Sequence, residues 1–143
     1  MKNFIVKNGI ENNANRGNCL VLALAAATGE DYKKVENFCR WALKYKEGRG
    51  CSFEGNKSLT NMLNAGYLSE ETTKVANYKG RQMSARKFVE GEKSGNWVVI
   101  TNGHAFAVLA SGEVVDNGFS FEPQKALKNS TLKGQYVKVA IKI

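Results

Sequence analysis

Several kinds of signal are missing from this chain. No stretch approaches the roughly 18 consecutive apolar residues of a membrane span. The opening MKNFIVKNGIENNANRG has neither the apolar run nor the small-residue cleavage site of a secretory signal. The expectation is a cytoplasmic chain that meets no membrane. Histidine occurs once, at His104, and cysteine three times, at Cys19, Cys39 and Cys51, without a CxxC pair. In a reducing compartment an odd cysteine count of this kind reads as free thiols, not a disulfide framework. A zinc site built from the three cysteines and His104 has no locally paired ligands. No metal and no organic cofactor are therefore expected. Proline also occurs once, at Pro123, and no linker, low-complexity tract or repeat divides the 143 residues. Residues 1–143 read as a single domain.

Apolar residues make up 43% of the chain and charged residues 24%, the balance of an ordinary globular protein. The formal net charge is +8, with modest clustering over 74–93 and 125–142. Such charge admits an acidic protein partner or a nucleic acid. No motif that reads RNA or DNA accompanies it, so nucleic acid is not favoured. The charge bears on encounter, not on chemistry.

Helical signals fill the first part of the chain. Cys19 to Thr28 is almost unbroken helix-forming apolar sequence, with Asn18 as a good N-cap and Gly29 as a good stop. A helix apolar all round is a buried helix. A second helix is expected from about Asp31 to Tyr45, with Val35, Phe38, Ala42 and Tyr45 forming its buried stripe. The glycine-rich EGRGCSFEGN, residues 47–56, is too irregular for a phosphate-binding loop and lacks a GK[ST] ending. Ser58 to Leu68 reads as a short helix capped by Ser58, and Ser84 to Glu90 as another with Phe88 and Val89 facing inward.

The pattern then changes. WVVIT (97–101), HAFAVLA (104–110) and EVVD (113–116) are β-rich runs separated by Asn102-Gly103 and Ser111-Gly112. Residues 122–129 are compatible with a helix, and the closing YVKVAIKI alternates strictly as a strand. Helices up to about residue 92 followed by an antiparallel sheet over about 93–143 define the α+β class.

Cys19 stands out because it places a thiol in the first turn of the buried helix. Unsatisfied N–H groups and the helix dipole lower the pKa of thiols held at such a position. A nucleophilic thiol still requires a base. The single histidine lies directly after a tight turn at the start of a central strand. Asp116 and Asn117 follow across the next hairpin, either able to orient the imidazole. Turn parity chooses between them. A two-residue Ser111-Gly112 turn puts Asn117 on the face of His104, and a three-residue Ala110–Gly112 turn puts Asp116 there. Asp116 is preferred because it ends a strand that Val114 and Val115 make apolar on both faces. The Cys19 backbone N–H supplies one oxyanion donor by helix geometry. Asn12, Asn13, Asn15 and Asn18 offer side-chain amides for a second. Cys39 falls beside the buried stripe and reads as core. Cys51 is the competing reactive thiol, without a helix start to activate it. Trp41 and Trp97 are expected in the core or lining a cleft.

Cysteine opening a central helix, then histidine at a strand start, then Asp or Asn on the next strand is the order of the papain-like cysteine proteases. More narrowly, NCLVLALAAATGEDYKKV and NGHAFAVLASGEVVDNG resemble segments of small papain-fold proteins of tailed bacteriophages, within residues 13–35 and 84–118. The resemblance implies a papain-like fold with Cys19 as nucleophile, His104 as base and Asp116 as orienting acid. In that family the oxyanion side chain is usually a glutamine six residues before the cysteine; here the position holds Asn13, one methylene shorter. The implied partner is a protein or peptide substrate, with a host protein in the host cytoplasm among the candidates. A second reading uses the fold as a rigid surface, weakly active or inactive, that binds and inhibits a host protein. A third is a basic nucleic-acid-binding accessory protein.

Overall fold

The computed structural model describes residues 2–3, 17–68, 75–77 and 83–143. Helix α1 runs over Cys19–Thr28, α2 over Tyr32–Ala42, α3 over Asn56–Asn64, α4 over Ala85–Glu90 and α5 over Pro123–Ala126. The strands are β1 (Lys2–Asn3), β2 (Val75–Asn77), β3 (Trp97–Ile100), β4 (Ala105–Val108), β5 (Val114–Asp116), β6 (Phe119–Phe121) and β7 (Val139–Lys142). They form one sheet in the order β1-β6-β5-β4-β3-β7-β2, antiparallel throughout. The class is α+β. The segregation of helices from strands is looser than the pattern implies, because β1 and β2 come from the first part of the chain and form the two sheet edges. Two- and three-residue strands carry too little periodicity to be seen locally.

Helix α1 is the hub. All residues from Leu20 to Ala27 are buried, and the helix packs on β3, β4 and β5. Burying Leu20, Val21, Leu22 and Leu24 contributes about 1.5–3 kcal/mol apiece, which outweighs the ~1 kcal/mol of an N-cap. This matters because the expected Asn18 cap does not form. Asn18 is fully buried and its amide instead donates to the Tyr32 hydroxyl at 2.9 Å. Gly29 ends the helix in the left-handed region, its N–H donating to the Ala25 carbonyl. Asn96 clamps that end to the sheet: its amide donates to the Ala27 carbonyl and its side-chain oxygen accepts the Ala110 N–H.

Other boundaries shift for local reasons. Helix α2 starts as expected, with Asp31 accepting the Lys33 N–H, but stops at Ala42, ahead of Lys44 in a left-handed conformation. Helix α3 begins before Ser58, whose hydroxyl lies inside the first turn and accepts the Glu54 N–H rather than capping. Ser84 does cap α4 through the Lys87 N–H, and Phe88 and Val89 are buried. The closing strand spans 139–142 rather than 136–143, and α5 only four of the eight residues over 122–129.

Both faces of the sheet are covered. On one side Val98, Ala105, Ala107, Val115 and Ile141 meet α1 and the core around α2 and α3. On the other Val99, Phe106, Val108, Val114 and Ala140 meet α4, α5 and residues 127–137. The period-2 alternation of side chains sorts neighbouring valines to opposite apolar layers, so β4 and β5 are buried along their whole length. No helix among the described residues is long and apolar enough to cross a membrane.

Candidate active site

Cys19 is the first residue of α1 and only half-buried, while Leu20 to Ala27 behind it are enclosed. The chain enters it through Gly17, at φ +61°, against the hairpin that Lys46 and Gly50 close. A Cβ on Gly17 would lie 2.8 Å from the Gly50 nitrogen, so the backbone-on-backbone contact requires glycine. Behind the thiol, Tyr32 holds Asn18, the residue that immediately precedes it. Burial pushes the Tyr32 hydroxyl pKa upward, so it stays neutral and available to that amide.

His104 reaches the site from the sheet. The Asn102-Gly103 turn returns the chain so that the Thr101 N–H donates to the His104 carbonyl at 2.8 Å. Across the next turn Leu109 pairs with Glu113, and Ala107 lies opposite Val115. The turn is therefore the three-residue Ala110–Gly112 form, with Gly112 at φ +93°. That register puts the Asp116 carboxylate on the imidazole, with His104 Nε2 at 2.5 Å from Asp116 Oδ1. The Asp116 side chain is 1% exposed, and its other oxygen accepts the Thr131 hydroxyl. An ionised carboxylate only accepts, so Nε2 carries the hydrogen and Nδ1 is the ring nitrogen left for Cys19, which lines the same cleft. Burial alone would lower the imidazole pKa. The hydrogen bonds to Asp116 and Cys19, with the charges of both, overcome it and hold the value up at about 9.

Comparison of the chain with protein-family models, with curated proteins and with solved structures finds no match. The chemistry of the site therefore rests on its own geometry.

Asn117, the other candidate to orient His104, does not take that place. It sits at φ +54° in the two-residue Asn117-Gly118 turn between β5 and β6, where Asp116 pairs with Phe119. Asn-Gly between apolar residues is a strong hairpin signal, and it marks both this turn and β6. Thr131, 15 residues beyond Asp116, carries no comparable signal; its role comes only from packing. Among the oxyanion candidates, Asn12, Asn13 and Asn15 lie outside the described residues. Asn18 is committed to Tyr32.

The thiol and the imidazole open onto a cleft of about 430 Å³, whose lining includes Arg49, Cys51, Phe53 and Lys138. Cys51 is thus at the cleft, as a competing thiol should be, but it pairs with Cys39 rather than with the imidazole. Its hydrogen bond to the buried Cys39 thiol, together with burial, drives the Cys39 pKa upward. Neither tryptophan lines the cleft. Trp97 packs edge-on against Phe88 on the far side of the sheet. Trp41 is 65% exposed, because position 41 falls outside the stripe that buries Val35, Phe38 and Cys39.

Proposed function

We propose that the chain is a papain-like thiol hydrolase that cleaves an amide or related acyl bond through a thioester on Cys19. The observation that carries this reading is the continuous chain from the Cys19 thiol through His104 and Asp116 to Thr131, opening on a cleft. His104 Nδ1 already holds the thiol proton below about pH 9, and the sulfur attacks the carbonyl carbon. The resulting oxyanion meets the Cys19 backbone N–H, which has no acceptor within its own helix because it lies in the first turn. His104 then gives its proton to the leaving amine as the tetrahedral species collapses to the thioester. Water attacks next, with His104 taking its proton, and the acid product and free thiol are restored. Asp116 stays ionised, keeps the imidazole turned to the sulfur and stabilises the imidazolium. Asn13 is proposed as the second oxyanion donor, from its place six residues before Cys19.

The test is the pH dependence of Cys19 alkylation by iodoacetamide, with the label located by peptide mass spectrometry, in the wild type and in His104→Ala. Fast labelling below pH 7 that disappears in the variant is the expected result. Slow labelling in both, with the pH profile of an ordinary thiol, refutes the reading and leaves the fold as a binding surface.

A further inference from the structure

Among the described residues, the permanently charged side chains that line the cleft are both cations, Arg49 and Lys138. Arg49 lies in the 46–50 hairpin, which rests on Gly17 beside the thiol. Lys138 approaches from the sheet, its ammonium 3.2 Å from the Asn102 side-chain oxygen in the turn just before His104. Among the described residues no aspartate or glutamate lines the cleft. Asp116 is closed off behind the imidazole, and Glu54, on the loop beyond Cys51, is held by Lys44 at 2.8 Å and Lys57 at 3.7 Å.

Elsewhere on the surface Lys34 pairs with Glu30, Arg40 with Glu36 and Arg86 with Glu90, each one helical turn apart, while Lys33, Lys87, Lys125, Lys128 and Lys133 stay without an ion pair among the described residues. Arg49 and Lys138 form no ion pair with a carboxylate among the described residues. The cleft lining also includes the apolar Leu20, Phe53, Ile100 and Val139. A concave surface with one sign of charge and low-dielectric walls focuses its field and concentrates the opposite charge.

We propose that the cleft selects acidic peptide segments, with Arg49 and Lys138 binding a carboxylate beside the scissile carbonyl from the Cys19 wall and the His104 wall respectively. This rests on the thiol-hydrolase reading and adds the substrate class to it. The guanidinium supplies a forked pair of donors and the ammonium a point charge, and each suits a carboxylate. The net charge of +8 favours encounter with the same class of segment at longer range.

Iodoacetate and iodoacetamide differ by one negative charge and alkylate the same sulfur, so the ratio of their rates at Cys19 reports the field at the thiol. In the Arg49→Gln/Lys138→Gln variant the iodoacetate-to-iodoacetamide ratio is expected to fall about five- to tenfold from its wild-type value. High salt produces a similar fall in the wild type. Lys34→Gln/Arg86→Gln, which removes two cations away from the cleft, keeps the wild-type ratio. An unchanged ratio in the cleft variant, or an equal fall in the distant one, overturns the charge selection while leaving the nucleophile in place. If Cys19 is inert to both reagents, the thiol-hydrolase reading fails first and takes the substrate class with it.

Discussion

Replacing Asp116 by asparagine removes one charge and almost no volume, which isolates what the carboxylate does for His104. In the wild type the imidazole holds its proton to about pH 9, against an ordinary value of 6.5. A cation and an anion about 4 Å apart in surroundings of effective dielectric near 20 attract by about 4 kcal/mol, or roughly 3 pH units. Burial opposes that attraction, and the Cys19 contact adds to it. Without the charge the midpoint is expected to drop by about 2–3 units, to between about pH 6 and 7. Cys19→Ser lowers it by less, because the hydrogen bond to Asp116 is the larger of the two supports.

The assay is an NMR titration of the imidazole carbon-bound protons. With one histidine in the chain, the signals need no assignment. The same protonation appears as stability. Since the folded value is raised, the contribution is complete below about pH 6.5 and is lost as the pH climbs through about 9. Its size is about 3 kcal/mol, and Asp116→Asn flattens this dependence in urea unfolding compared across that window. A wild-type midpoint near 6.5, or an Asp116→Asn midpoint still near 9, refutes the reasoning.

Two further substitutions examine what holds the thiol in place. Gly17→Ala forces a Cβ to 2.8 Å from the Gly50 nitrogen at φ +61°; a loss of about 2 kcal/mol and a Tm lower by roughly 5–10 °C are expected. The 46–50 hairpin then has to move, so Cys19 alkylation slows as well; an unchanged Tm contradicts the close contact. Tyr32→Phe takes the acceptor from the buried Asn18 amide, at an expected cost of about 1–3 kcal/mol in denaturant unfolding. A change below about 0.5 kcal/mol shows that the amide finds another partner, and the account of Asn18 falls.

Much of the site was legible because its parts are local. Cys19 at a helix start, His104 after Asn102-Gly103 and Asp116 across the following hairpin each follow from patterns of a few residues. The preference for Asp116 over Asn117 reduced to one turn length, and the register has the three-residue form. The Asn117-Gly118 turn is equally visible in the sequence, yet the expected elements pass from EVVD (113–116) to residues 122–129, and strand β6 is missed between them. The Asn18 cap was misread because local propensity cannot sense a tyrosine arriving 14 residues later to claim its amide. Trp41 was misplaced because a large apolar side chain invites burial, whereas the stripe through Val35 and Phe38 leaves position 41 facing outward.

By itself the sequence determined the α+β class, the buried central helix between Asn18 and Gly29, and the thiol, imidazole and carboxylate as the groups to watch. These follow from periodicity, turn chemistry and residue type, which act over one or two helical turns or a single hairpin. Tertiary structure alone decided that Thr131 closes the line behind Asp116, that β1 and β2 form the sheet edges, and that Cys51 pairs with Cys39. It also decided that Arg49 and Lys138, 89 positions apart, face one cleft. Contacts between segments so distant depend on how two apolar layers close over a shared sheet. No local pattern carries that information, because the free energy that fixes it comes from the whole core burying at once.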